Sequence, residues 1–136
     1  MIAFISCVKK KKDVPCKAKD IYVSDFFKKQ LDYARSINPN IYILSAKYGV
    51  LKLDDYVEPY EKTLKTMSKA EINQWYELVR RQLTEKGVDF TEKAIFVCGD
   101  LYANGVATLF PDHDLPMAGM SFGNRLKFMK ERTVSQ

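Results

Sequence analysis

The stretch Met1-Ile-Ala-Phe-Ile-Ser-Cys-Val-Lys9 begins with an apolar run and breaks off into small, polar and charged residues. Two later stretches repeat this change, Ile41-Tyr-Ile-Leu-Ser-Ala-Lys-Tyr-Gly49 and Ala94-Ile-Phe-Val-Cys-Gly-Asp100. Apolar runs that are short, continuous and rich in β-branched and aromatic residues predict strands that are buried on both faces. If these strands are parallel, their polar ends emerge at one edge of the sheet, where open α/β sheets bind ligands. We therefore expect the functional site at that edge.

Helical patterns separate the three apolar runs. Ser24 is a predicted N-cap, Ser68 and Glu71 form a capping box, and further helices are expected from Asp100 or Leu101 and from Ser121 or later. The first two helices should end near Asn38-Pro39 and at Gly87, and the third should end before Pro111. A strand followed by a helix, repeated three times, favours right-handed crossovers between parallel strands.

This pattern predicts an α/β fold: a single three-layer domain over residues 1–136, with a mostly parallel central sheet of about four strands flanked by helices. The fourth strand is expected near His113 to Leu115. No apolar run reaches the length needed to span a membrane, so we expect a cytoplasmic protein with no membrane partner.

The three cysteines and the single histidine do not form a metal-binding pattern, and we predict no metal site. Cys7 and Cys98 both fall at predicted strand ends, where each is either a thiol facing the site or a small packed hydrophobe. The second interpretation is favoured for both. Because neither of the common glycine-rich phosphate-binding motifs occurs, we also predict no cofactor.

The net charge of +5 is concentrated near the first strand, where six lysines lie between residues 9 and 19. Lysines beside a crevice attract phosphates, and this favours a nucleic acid or a nucleotide as the partner. The alternative is a solvated loop whose lysines only maintain solubility. Near the other end of the chain, the small residues of Met117 to Arg125 could offer amide donors to an anion, with Arg125 adding charge.

The segment from Gly49 to Leu64 has no regular period, and irregular segments of this length are often functional. Gly49 itself is typical of a left-handed turn at which the chain reverses. Tyr56 and Tyr60 could stack on a base, and Glu58 could accept a proton or a hydrogen bond. The alternative is that the tyrosines only attach this segment to the core.

The stretch from Tyr42 to Tyr60 resembles a segment of the YaaA family of peroxide-stress, DNA-binding proteins. The chain is more similar still to a small uncharacterised bacterial and phage family related to YaaA, through Ser6-Cys7, Lys9, Lys11, Ala18-Lys-Asp-Ile-Tyr22, Ser45-Ala-Lys-Tyr-Gly49, Glu58-Pro-Tyr60 and Cys98-Gly-Asp-x-Tyr102. Residues 6–10 also faintly resemble a motif in the uracil-DNA-glycosylase-like domain of archaeosine synthase. The helix-hairpin-helix segment by which YaaA contacts DNA is not evident here.

The resemblance implies a basic cleft that binds nucleic acid or a nucleobase. In one version of this function, the protein acts on an N-glycosidic bond. In that version Asp100 or Glu58 is the catalytic carboxylate. The alternative for Asp100 is an N-cap of the following helix. The rival function is a non-enzymatic binder of a small phosphorylated nucleotide or of DNA, in stress response or in phage–host defence. Together, the strand ends and the resemblance indicate substrate or phosphate contacts by Ser6, Cys7, Lys9, Lys11, Tyr22, Ser45, Lys47, Tyr48, Gly49, Tyr60, Gly99, Tyr102 and Arg125.

Overall fold

The computed structural model describes residues 1–8, 11–37 and 40–133, which form an α/β fold. Its strands are β1 (Ile2–Ser6), β2 (Cys16–Lys17), β3 (Ile41–Ser45), β4 (Gly49–Lys52), β5 (Tyr56–Val57), β6 (Ala94–Val97) and β7 (His113–Asp114). Its helices are α1 (Ala18–Ile21), α2 (Asp25–Ile37), α3 (Lys69–Glu85), α4 (Asp100–Ala107) and α5 (Phe122–Arg132), and a 3-10 helix covers Leu64–Thr66.

The three predicted apolar runs are neighbouring parallel strands of one sheet, whose order is β4-β3-β1-β6-β7. β1 pairs with β3 on one side and with β6 on the other, and both pairings are parallel. All five residues of β1 and all four of β6 are buried, as expected of strands covered on both faces. The short strand expected near His113 is β7, which continues the parallel arrangement beside β6.

The sheet is mixed and has five strands, because β4 runs antiparallel to β3. The sequence predicted no regular structure after Gly49, and this prediction was wrong for two segments. Gly49 has a φ of +80°, so the chain turns back at once and pairs with the strand it has just left. Further along, β5 pairs with β2 in a separate two-stranded sheet.

The predicted helix signals at Ser24, Ser68, Gly87 and Ser121 are confirmed, whereas the helix end expected near Asn38-Pro39 lies outside the described residues. The Ser24 hydroxyl accepts a hydrogen bond from the Phe27 amide, and Ser68 and Glu71 form the complete capping box of α3. Gly87 follows the end of α3 with a φ of +73°, and the Ser121 hydroxyl caps α5. α2 packs on β1 and α5, whereas α3 packs on β4 and α4. Among the described residues, no helix combines the length and the apolar character required to cross a membrane.

Gln82 of α3 secures the turn between β3 and β4. Its Oε1 accepts a hydrogen bond from the Val50 amide at 2.7 Å, and its Nε2 donates to the Tyr48 carbonyl at 2.9 Å. A Cβ atom at Gly49 would collide with the Gln82 amide group, so a larger residue would have to displace that side chain as well as adopt this φ. Gly87 has a similar φ but open space where its Cβ would be.

We expect Gly49→Ala to lower the free energy of unfolding by more than Gly87→Ala. The left-handed backbone should cost each variant about 1–2 kcal/mol. Gly49→Ala should lose roughly 1–3 kcal/mol more, because it displaces Gln82 from two backbone groups. Urea denaturation of the two variants measures the difference, and equal losses would contradict the role given to Gln82.

Candidate functional site

The carboxyl ends of β1, β3 and β6 lie side by side. Ile5 pairs in register with Ile43 on one neighbour and with Val97 on the other. The Cys7 amide, just beyond β1, donates a hydrogen bond to the Leu44 carbonyl at 2.9 Å. The polar residues that follow the three strands therefore meet at one edge of the sheet, as the sequence predicted. We call this edge the carboxyl edge.

Three buried hydroxyl groups form a connected cluster at the carboxyl edge. The Ser45 Oγ donates to the Tyr60 Oη at 2.8 Å, and the Tyr22 Oη lies 2.7 Å from the same Tyr60 oxygen. The Ser45 Oγ also accepts a hydrogen bond from the Tyr48 amide at 3.1 Å. We call Tyr22, Ser45 and Tyr60 the hydroxyl cluster, and all three were predicted site residues.

Burial keeps the tyrosines of the hydroxyl cluster protonated. It raises the pKa of both Tyr22 and Tyr60 well above the usual value for a phenol, and a charge on nearby Cys7 would act in the same direction. At neutral pH both hydroxyls are therefore neutral groups that donate and accept hydrogen bonds. This chemistry suits recognition of a polar ligand better than proton abstraction from it.

Lys11 is placed over the faces of these two tyrosines. Its Nζ lies 4.3 Å from the centroid of the Tyr60 ring and 5.8 Å from that of Tyr22, both within the range of a cation–π interaction. The backbone of Lys11 forms an antiparallel bridge with Tyr22, which fixes its position along the chain. Burial lowers the pKa of Lys11, and the charges of Cys7 and Glu61 oppose that shift.

The other described lysines between residues 9 and 19 have different surroundings from those of Lys11. Lys17 and Lys19 both lie near the Asp54 carboxylate, with N–O distances of 3.6 and 3.2 Å, so part of the positive charge is balanced within the protein. The Lys12 amide donates to the Ile21 carbonyl, so the two ends of the segment from Lys11 to Tyr22 are joined. Lys9 lies outside the described residues.

Lys47, Tyr48 and Glu58 extend the site from the β3–β4 turn. The Tyr48 Oη donates to the Glu58 carbonyl at 3.3 Å and accepts from the Glu58 amide at 3.2 Å. The Tyr48 ring meets the Tyr60 ring edge-on, with centroids 5.5 Å apart, and the exposed Lys47 places its Nζ 5.2 Å from the Tyr48 ring. The Glu58 residue is exposed.

Cys7 and Tyr102 connect β1 to α4. The Cys7 Sγ lies 3.3 Å from the Tyr102 Oη, and both residues are buried. Burial also raises the pKa of Tyr102. Cys98 is fully packed at the end of β6, and burial raises the pKa of its thiol, so the structure supports a packing role for Cys98.

Asp100 and Arg125 form an ion pair at the end of β6. The Arg125 Nη2 lies 2.9 Å from the Asp100 Oδ1, and the Asp100 Oδ2 accepts a hydrogen bond from the Gly119 amide. Arg125 also donates to the carbonyls of Cys98 and Met120, so this buried guanidinium holds the loop before α5 against β6. The alternative of Asp100 as an N-cap was wrong: Gly99 is the N-cap, and Asp100 is the first residue of α4.

Sequence reasoning missed two side chains that shape the edge. Gln30 is fully buried on α2, where its Oε1 accepts from the Ser6 amide at 3.0 Å and its Nε2 lies 3.4 Å from the Ser6 carbonyl. The Trp75 Nε1 donates to the Ser45 carbonyl at 2.8 Å. Gln30 was detectable, because it interrupts the apolar stripe of α2 with an amide at a core position.

An open groove of about 410 Å³ adjoins the carboxyl edge at Tyr22 and continues along the start of α2, where Ser24, Lys28 and Leu31 help to line it. In residues 1–8, 11–37 and 40–133, no group of three His, Cys, Asp or Glu side chains is arranged to hold a metal ion.

Comparison with known proteins places most of the chain in one family. A family of unknown function, DUF6884, matches residues 2–131. The chain is also similar to the uncharacterized protein YfjM of Bacillus subtilis strain 168, with 35% identity over 119 residues. That alignment covers 82% of this chain and 78% of YfjM. The relation to YaaA stays a prediction.

We expect the free energy of unfolding to fall as the pH rises above about 10, where tyrosines of the unfolded chain ionise. The buried tyrosines of the folded state keep their protons over this range, because burial raises their pKa. Each such group should contribute a decline of at most about 1.4 kcal/mol per pH unit.

Tyr60→Phe should therefore make this decline less steep, which urea denaturation between pH 8 and 11 measures. Tyr56→Phe is the matched control, since it removes a hydroxyl from a residue that is 73% exposed. An identical slope in the wild type and in Tyr60→Phe would contradict the assignment.

Proposed function

We propose that this chain, which belongs to the DUF6884 family of unknown function, binds a nucleotide at its carboxyl edge, either free or as a unit of a nucleic acid. The position of Lys11 over the Tyr60 ring, beside the hydroxyl cluster, carries the proposal. A cation, aromatic rings and neutral hydroxyls thus lie together at the edge where open α/β sheets bind ligands.

Two lysines each lie over one ring of a pair of tyrosines. Lys11 lies against Tyr60, Lys47 lies against Tyr48, and the two rings are in edge-on contact. A phosphate bound near both ammonium groups would be attracted by two positive charges. A bound phosphate would also favour the charged form of Lys11. Burial alone lowers the pKa of this lysine. Phosphate is therefore the anion that we assign to this part of the site.

The hydroxyl cluster positions the Tyr60 ring over which Lys11 lies. Its tyrosine hydroxyls are neutral at physiological pH, and the three buried residues are bonded to one another, so the cluster adds no charge to oppose a phosphate. Because Ser45, Trp75 and Tyr48 fix the cluster through hydrogen bonds, its geometry is set before a ligand arrives. The resemblance to YaaA, a family of DNA-binding proteins, points to the same class of ligand.

A second candidate function is hydrolysis of an N-glycosidic bond, in which water replaces the base on the sugar. Asp100 favours it, because Arg125 and the Gly119 amide fix a carboxylate that is 43% exposed at the carboxyl edge. A carboxylate held in this way can stabilise an oxocarbenium-like transition state by its charge. Glu58 is the other exposed carboxylate expected there.

Lys47→Ala should weaken binding of a single-stranded oligonucleotide about tenfold, because one charge-assisted phosphate contact contributes roughly 1.5 kcal/mol. Lys47 is exposed, so the fold should be unaffected. The slope of log K against log salt should become less steep by about 0.7, the value for one phosphate contact on a single strand. Fluorescence anisotropy at several salt concentrations measures both quantities.

Lys93→Ala is the control for charge. Lys93 precedes β6 and therefore lies at the opposite edge of the sheet. Equal weakening by Lys93→Ala would show that only overall charge matters, and the absence of binding to both the oligonucleotide and a mononucleotide would refute the proposal. A mononucleotide should bind with a weaker salt dependence than the oligonucleotide.

Asp100→Asn separates the two candidate functions. If the protein hydrolyses a glycosidic bond, the wild type should release free base from a nucleotide or an oligonucleotide, and Asp100→Asn should release none while binding is kept. Chromatography of the reaction mixture detects the base. A wild type that binds and releases no base from either substrate leaves the non-enzymatic binder as the function.

A further inference from the structure

One aromatic side chain is exposed at the start of α5. Phe122 is 63% exposed, and its ring stacks on that of Phe26, at the start of α2, with centroids 4.7 Å apart and an angle of 21° between the planes. Phe26 is partly buried and packs against the core. One side of the Phe122 ring is thus supported by the protein, while most of the residue lies in solvent.

The backbone on both sides of this ring pair is fixed. Ser24 accepts from the Phe27 amide at the start of α2, and Ser121 accepts from the Asn124 amide at the start of α5. α2 and α5 pack against each other, and a second ring contact joins Tyr33 to Phe128. The exposed ring is therefore held at a defined place, unlike an apolar side chain on a loose loop.

Chain neighbours of the two rings contact two parts of the candidate site, the hydroxyl cluster and the Asp100–Arg125 ion pair. Phe27, the neighbour of Phe26, contacts the Tyr22 ring at a centroid distance of 4.8 Å, and Tyr22 belongs to the hydroxyl cluster. Arg125, one turn along α5 from Phe122, binds Asp100 and the Cys98 carbonyl at the end of β6. The ring pair is thus connected through short contacts of its neighbours both to the hydroxyl cluster and to the ion pair.

We propose that Phe122, supported by Phe26, is the stacking surface for an unpaired nucleobase of the ligand. This inference rests on the proposed function and adds a base-binding position to it. A flat ring with one supported side is the arrangement on which bases stack in single-stranded nucleic acid sites. The occupant we assign is a base, because Lys28, two positions after Phe26 on α2, lines the groove that adjoins Tyr22, and because one ring presents far less apolar area than a protein interface needs.

The test compares two single-stranded oligonucleotides of equal length, one with bases and one made only of abasic units. Phe122→Ala should weaken binding of the oligonucleotide with bases about tenfold, a loss typical of one stacked base. It should leave the affinity for the abasic oligonucleotide, and the salt slope, unchanged. Lys47→Ala should weaken binding of both oligonucleotides alike.

Phe122→Trp is the conservative variant and a reporter. It should retain the affinity of the wild type, and its added indole fluorescence should be quenched by the oligonucleotide with bases and unaffected by the abasic one. Adenosine monophosphate as a separate probe distinguishes a free nucleotide from a nucleic acid as the source of the base. Thermal melting should show that Phe122→Ala is folded, since the side chain it removes is mostly exposed.

Several outcomes would overturn the inference. Phe122→Ala could bind both oligonucleotides like the wild type, or weaken both equally, or Tyr56→Ala could remove the preference for bases instead. Sedimentation showing a dimer that Phe122→Ala dissociates would assign the ring to contact between copies of the chain. If the wild type binds and Phe122→Ala has no effect, only this inference fails. If the wild type binds neither oligonucleotide nor adenosine monophosphate, the proposed function fails with it.

Discussion

Parallel pairing of three buried apolar strands is the constraint from which the arrangement of the carboxyl edge follows. β1 lies between β3 and β6, and its residues are covered on both faces, so its register cannot slip without exposing apolar side chains or burying polar ones. Because all three strands point the same way, the residues that follow them converge although they are far apart in sequence. Ser6, Ser45 and Cys98 thereby become neighbours at one edge.

The polar groups that converge at this edge are satisfied by hydrogen bonds within the protein. Gln30 binds both backbone groups of Ser6, Trp75 binds the Ser45 carbonyl, and Arg125 binds the Cys98 carbonyl. Within the described parts of the chain, no buried side-chain nitrogen or oxygen lacks a partner. An unpaired polar group in this environment would cost roughly 1–3 kcal/mol, so these bonds both stabilise the edge and fix its geometry.

The carboxyl edge has two chemically distinct halves. One half holds the neutral hydroxyls of Tyr22 and Tyr60, with Lys11 lying over both rings. The other half holds the Asp100–Arg125 ion pair. The Arg125 guanidinium donates hydrogen bonds to three protein oxygens. The Cys7–Tyr102 contact joins the end of β1 to α4, and the Phe26–Phe122 pair joins the starts of α2 and α5.

Sequence alone determined the three central strands, the caps of Ser24, Ser68 and Ser121, and the edge at which the polar residues meet. These features depend on neighbouring residues, through side-chain periodicity and capping bonds that span three or four positions. Only the tertiary structure decided that Lys11 lies on Tyr60, that Asp54 pairs with Lys17 and Lys19, and that Arg125 is held by the protein. Those contacts join residues 25 to 49 positions apart, and their distances follow from how the helices and strands pack, which no local pattern encodes.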